Sequence, residues 1–458
     1  MRSRHATYVA LAVVVAVALV VGVVAVAGAG SSTSLPALSA PELLARMGQA
    51  EDHRTAVSGE ISWQNGLFGD LGAAVDMAQM PAQSPLLSSG SGRLWVSEAG
   101  LRVESQGAGG DQVVAVSTKA RTAWVYDYAE DSVRRYVVSG DAPAAEPLPS
   151  PSAALLTPEA IAACLRRLAP SATLDVAGQA TVAGREVYLL RFTPTAADTA
   201  LGAVQASIDG QTLLPLRLEV FAKGGDAAVL RFGFDSVSSA AVDPALFELT
   251  PPVGAKVTTR TIDGNALRER ARGEQAGGAD GGVPTAAEKA AHEKLARRAL
   301  LTREQVQALV PYELAWARGY EARPFRWGFV LDEGGPLTAA GEPLAQLMGM
   351  ATGASAGSAG SAGPQEPAPT APGPASILLF GDGLGTIVLA QTATTPELTK
   401  QLKQLPQVFA TLTVGGAKAQ VLGTPLGGAI VWQQGGTTLV ASGVVPMGDL
   451  QAFASSVR

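Results

Sequence analysis

Val182-Ala-Gly-Arg-Glu-Val-Tyr-Leu-Leu-Arg-Phe-Thr-Pro194, Ser207-Ile-Asp-Gly210, Leu214-Pro-Leu-Arg-Leu-Glu-Val220 and Phe232-Gly-Phe-Asp235 carry large apolar residues in alternation. A period of two sends successive side chains to opposite faces of a strand. Tyr188, Leu190 and Phe192 therefore share one face, as do Leu216, Leu218 and Val220, and as do Phe232 and Phe234. Asp209-Gly210 and Lys223-Gly-Gly225 between these runs tolerate tight turns, and strands joined by tight turns pair antiparallel.

Upstream, short β-branched or aromatic runs recur at residues 93–97, 101–104, 113–117, 123–128 and 133–138, with Glu98-Ala-Gly100 and Ala129-Glu-Asp131 as turns. Trp124 and Tyr126 share a face of their strand. Two helices border the sheet. Ser39-Ala-Pro-Glu42 reads as a capping box that starts a helix at about Pro41, with Leu43, Leu44 and Met47 on one stripe. Thr157-Pro158-Glu159 starts another, which carries Ile161, Leu165 and Leu168 until Pro170 stops it. The large inward residues have two readings, an ordinary packed core or a curved sheet and helix lid around an apolar cavity. In the second, the lining residues are Trp124, Tyr126, Tyr188, Leu190, Phe192, Leu216, Leu218, Val220, Phe232 and Phe234.

Downstream, a Gly-rich and helical connector over 259–309 has helix starts at Thr285 and Thr302. A second unit over 310–458 reads as strands at 376–380, 386–391, 409–414, 417–423, 428–433 and 437–444, with a terminal helix at 449–457. Residues 352–374, almost entirely Gly, Ala, Ser, Pro and Thr, interrupt it as an unstructured loop. At the other end, residues 8–27 are uncharged and largely apolar, long enough for a transmembrane helix of the 1–28 segment. Arg2 and Arg4 precede that run and no Lys or Arg follows before Arg46, so the bulk of the chain is expected outside the cytoplasm, either anchored to the membrane or released by cleavage at Ala25-Val26-Ala27. The expected fold class is thus α+β: a transmembrane helix, a half-open antiparallel β-barrel with a helix lid over 35–258, and a smaller α+β domain.

Composition removes most chemistries. The chain has 458 residues and a net charge of −6, which offers no basic field for nucleic acid. One cysteine, Cys164, excludes an intrachain disulfide or a Cys-based zinc site, and His5, His53 and His292 stand far apart. Gly381-Asp-Gly383-Leu-Gly385 lacks the spacing of a dinucleotide turn and continues as a strand, so it reads as a hairpin. Gly353-Ala-Ser355-Ala-Gly357 matches a nucleophile elbow only in letters, since it lies in the low-complexity loop. Asp127, Glu130 and Asp131 read as a solvated hairpin tip rather than an acid/base pair or a calcium site. No enzyme, metal or cofactor is expected.

The runs quoted first, with Asp243-Pro-Ala-Leu-Phe247 and Pro251-Pro252, resemble in order the second half of the LolA-like superfamily of extracytoplasmic lipid and lipoprotein carriers, whose two-domain relatives are of the RseB/MucB type. Leu35-Pro-Ala-Leu-Ser-Ala-Pro-Glu-Leu-Leu44 and Thr122-Ala-Trp-Val-Tyr126 are similar to its first helix and a mid-sheet strand. Residues 380–458 resemble the second domain of actinobacterial and RseB-like members. The resemblance implies a half-barrel that receives acyl chains of a lipid or acylated lipoprotein. It also implies a second role, regulation of a membrane anti-sigma factor by an envelope-stress sensor.

Overall fold

A computed structural model of the chain describes residues 35–49, 56–67, 89–107, 110–139, 172–263, 301–331, 374–403 and 410–458. The first helix, α1 (Ala40–Gln49), starts as its capping box requires: Glu42 accepts from the Ser39 amide at 2.8 Å, and the Glu42 amide donates to Ser39 Oγ at 3.4 Å. Strands β1 (Val57–Asn65), β2 (Gly90–Ser97), β3 (Gly100–Gly107), β4 (Gln112–Ser117), β5 (Thr122–Asp127) and β6 (Ser132–Ser139) follow. After them come β7 (Ala172–Val182), β8 (Arg185–Pro194), β9 (Leu201–Asp209), β10 (Pro215–Ala222), β11 (Ala228–Phe234) and β12 (Lys256–Asp263).

All belong to one twelve-stranded sheet in the order β12-β6-β5-β4-β3-β2-β1-β11-β10-β9-β8-β7. The β1 strand pairs with both β2 and β11, so it welds two runs of hairpins into one surface. Every pairing is antiparallel except β12 with β6, which is parallel. That exception is possible because β11 leads into a long strap, with a 3-10 turn at Pro244–Phe247, before the chain re-enters the sheet. Phe247 on the strap is fully buried, against Gly100.

The second unit contains α2 (Arg303–Gln307), β13 (Phe325–Leu331), β14 (Ala375–Phe380), β15 (Ile387–Ala393), α3 (Pro396–Lys403), β16 (Ala410–Val414), β17 (Ala417–Thr424), β18 (Gly427–Gln434), β19 (Thr437–Gly443) and α4 (Met447–Ser456). Its seven strands form an antiparallel sheet ordered β13-β14-β15-β19-β18-β17-β16. Trp432, Leu439, Leu450 and Phe453 pack between that sheet and α4. Tyr312 pins the chain ahead of β13 to the sheet: its hydroxyl donates to the Gln391 carbonyl at 2.7 Å and accepts from the Ser376 amide at 2.9 Å.

Two expectations are corrected. Among the described residues the fold is mostly β rather than α+β, with strands at 54% against helices at 13%. Strands β1, β7 and β12 add to the sheet where the sequence suggested none, and the helix starts at Thr157 and Thr285, like Cys164 and residues 352–373 of the expected loop, lie outside the described residues. The transmembrane helix is likewise unsupported. Among the described residues no helix is long and apolar enough to cross a membrane, and residues 8–27 lie outside them. The longest described helices, α1 and α4, have 10 residues each, which is about 15 Å of helix against a hydrocarbon layer of about 30 Å.

Candidate functional site

Side chains directly opposite each other in a ladder share a face, so the strand register assigns every residue of the first sheet to one of two surfaces. Tyr188, Leu190 and Phe192 on β8 stand opposite Ile208, Ala206 and Val204 on β9. Ala206 and Val204 stand opposite Leu218 and Val220 on β10, and these in turn face Phe232 and Leu230 on β11. Phe232 and Phe234 then meet Trp63 and Ile61 on β1. Leu216 follows the irregular register at the start of β10 and belongs to the same buried cluster as Ile61 and Phe234. Seven of the ten residues expected to line a cavity therefore lie on one continuous apolar surface, and Leu216 is the extra residue at the register shift.

Helix α1 marks that surface as the inner one. Leu43, Leu44 and Met47 pack on Tyr188, Leu190 and Ile208. Tyr188 is fixed by its hydroxyl, which donates to the Pro36 carbonyl at 2.9 Å, and its burial pushes the phenol above the ordinary tyrosine range. Away from α1 the cover thins. Leu218, Val220, Leu230 and Phe232 are only half-buried.

The outer surface is polar at the same level. Arg191 donates to Gln205 at 3.3 Å, Gln205 to Glu219 at 3.4 Å, and Arg231 to both Glu219 at 2.9 Å and Gln64 at 3.2 Å. One sheet thus presents a hydrogen-bonded polar ladder outward and an apolar surface inward.

Trp124 and Tyr126 are not part of the inner surface. Their neighbour Val125 is tied through Val114, Val103 and Leu94 to Gly59 of β1, which shares a face with Ile61 and Trp63. Trp124 and Tyr126 therefore point outward, where they cluster with Val113, Val133 and the strap residues Leu249 and Ala255. Arg135 lies over Trp124, 4.8 Å from the ring centroid. The carboxylates at the neighbouring tip make turn bonds: Asp127 accepts from the Ala129 and Glu130 amides at 3.0 and 3.2 Å, and Asp131 accepts from the Tyr126 hydroxyl at 3.0 Å.

The residue that the sequence reading missed is Trp63. Its ring is stacked with Phe232, centroids 6.5 Å apart and planes 18° apart. It lies flat across β2 because Gly90 has no side chain: a Cβ there would stand 2.4 Å from Trp63 Cζ2. The available signal was the alternation Val57, Gly59, Ile61, Trp63, which Ser, Glu and Gln interleave.

The loop between β8 and β9 joins this sheet to the second unit. Thr199 Oγ1 and the Ala200 amide both donate to the Val444 carbonyl, at 2.9 and 2.8 Å. Arg323, with a side chain 2% exposed, pairs with the Asp198 carboxylate at 3.2 Å and the Asp449 carboxylate at 2.9 Å. It also donates to the carbonyls of Asp198 at 2.9 Å and Gly385 at 2.8 Å. The Gly381–Gly385 segment is the β14–β15 hairpin, and it serves this joint, since a Cβ on Gly385 would stand 2.4 Å from the Asp198 carboxylate oxygens.

No family model matches the chain, and no curated protein does. Among solved structures, the chain is similar to one from the Pseudomonas aeruginosa MucA/MucB complex, with 16% identity, 92% of this chain and 98% of that one covered, and a TM-score of 0.35. It is also similar to a LolA superfamily protein from Nitrosomonas europaea, with 9% identity over 46% of this chain and 99% of that one and a TM-score of 0.18. A conserved protein from Thermus thermophilus shows 12% identity over 48% of this chain and 99% of that one, with a TM-score of 0.28. The likeness is to MucB/RseB and LolA-superfamily proteins, the group that the sequence resembles. The comparisons do not support the actinobacterial part of the resemblance.

Proposed function

We propose that the chain is a non-catalytic extracytoplasmic protein whose inner surface holds the acyl chain of a lipid or lipoprotein, as a carrier or acceptor. The observation that carries this reading is the continuous apolar surface from β8 to β1, half-open at Leu218, Val220, Leu230 and Phe232 and backed by a polar ladder. Burying a palmitoyl chain gains about 0.8 kcal/mol per methylene, on the order of 11 kcal/mol in all. Association itself costs about 4–15 kcal/mol. A surface already shaped by the sheet keeps that cost low, so apolar contact is enough for useful affinity.

The test is displacement of a fluorescent polyene fatty acid by palmitate in wild-type protein and in Leu218→Arg and Phe232→Arg. A charge on the half-buried surface is expected to weaken binding at least tenfold while the far-ultraviolet circular dichroism stays unchanged. Wild-type protein that takes up no probe would sink the reading.

A second reading, the envelope-stress sensor that regulates an anti-sigma factor, draws support from the joint. Strand β8 bears Tyr188, Leu190 and Phe192 on the inner surface and continues directly into the loop that docks on Val444 and Arg323. A ligand that shifts β8 would act on the second unit through that loop.

A further inference from the structure

We infer that Trp63 is the polar anchor of the acyl site, and that its indole N–H recognises the carbonyl oxygen at the head of the chain; this rests on the acyl-binding reading above. Trp63 is 7% exposed, and its Nε1 is buried with no hydrogen-bond partner among the described residues. A buried indole N–H normally has a partner. Leaving such a donor unsatisfied is costly in a folded protein, so the native site keeps a donor whose natural acceptor comes from elsewhere.

Position selects the acceptor. One flank of the ring meets Phe232, the start of the apolar track through Leu218 and Val220. The Cε2 and Cζ2 edge that bears the N–H lies over Gly90 with Gly107 beyond, and Cζ2 is 3.7 Å from where a Gly107 Cβ would stand. Both glycines occupy the inner surface opposite Trp63, so neither β2 nor β3 sets a side chain against the ring at that level. An alkyl chain laid along Phe232, Leu218 and Val220 brings its first oxygen-bearing carbon to this place. The ligand is therefore an acyl compound read at its carbonyl. An ester or amide, as in an acylated lipid or lipoprotein, and a free carboxylate share that chemistry.

The experiment uses the full chain, 15N-labelled, with three probes: a palmitoylated lipopeptide, palmitate, and hexadecane as the ligand without a carbonyl. Trp63→Phe keeps an aromatic ring and removes the N–H. It is expected to weaken the lipopeptide or palmitate about tenfold and to leave hexadecane unchanged. In wild-type protein the Trp63 indole N–H resonance, assigned by its loss in Trp63→Phe, is expected to move downfield with the carbonyl ligands only. A shift with the lipopeptide marks an ester or amide source; one with palmitate alone marks free fatty acid. Equal weakening of all three probes, or an indole resonance that ignores the carbonyl ligands while they bind, overturns the anchor and leaves the acyl-binding reading standing. Failure of every probe to bind removes both. If Trp63→Phe does not fold, the resonance is assigned instead by its nuclear Overhauser contacts to the stacked Phe232 ring, and its response to the three probes decides.

Discussion

At Arg323 burial works against the charge, yet the guanidinium pKa is raised, because the hydrogen bond it donates to Asp449 and the proximity of Tyr320, Asp198 and Asp449 outweigh the desolvation. The acids are 45% exposed on their side chains and the arginine 2%, so the pair is lopsided: losing an acid strands a buried cation, whereas losing the arginine leaves two acids near water. Asp449→Ala is expected to lower unfolding stability by roughly 1–3 kcal/mol. The nearly solvated Arg326–Asp382 pair, broken by Asp382→Ala, should contribute under about 1 kcal/mol. Urea denaturation of the two variants separates them, and equal small losses would mean that the joint does not stabilise the molecule.

At the scale of elements, α1 depends on its cap. Glu42 is held below the ordinary carboxylate range, first by the Ser39 side chain, then by the Ser39 amide, with a smaller contribution from Arg46. A depressed folded pKa gives stability that is present above the unfolded value, about 4.3, and is lost as pH falls through the lowered one. Glu42→Ala should therefore lower the melting temperature at pH 7, with the difference from wild type shrinking by pH 3; a constant difference would contradict the cap. The hairpins from β8 to β11 were legible because alternation and turn residues agree there, as they do at the Ser39 cap. Strand β7 was not, because Gly178 and the register shift between Val176 and Gln179 move Ala180 and Val182 to the other face and break the period. Strand β12 is an exposed edge with no buried side to pattern it, and β1 alternates with polar residues and a glycine. Trp124 and Tyr126 show the deeper reason. Alternation fixes which residues of one strand share a face, but which face that is depends on register carried through β4, β3 and β2 to β1, and pairing is a tertiary fact.

Among the described residues, a twelve-stranded sheet with an apolar inner surface is tied through the loop between β8 and β9 to a seven-stranded sheet. A carrier needs only the first sheet, while a sensor needs the loop to transmit occupancy. With Asp198→Asn, a sensor would still bind acyl ligand but lose its effect on capture of an anti-sigma partner; undiminished coupling would leave the carrier reading. Both rest on the same claim, that the surface from β8 to β1 is a ligand site and not a finished core. Native mass spectrometry of the full chain purified from a bacterial envelope, with denaturing spectra and lipid extraction of the same sample, tests it most directly. The account predicts a bound species that yields an acyl lipid on denaturation and is absent from folded Leu218→Arg. A clean ligand-free mass that persists after acyl lipid is offered would contradict it and return the inner surface to an ordinary packed core.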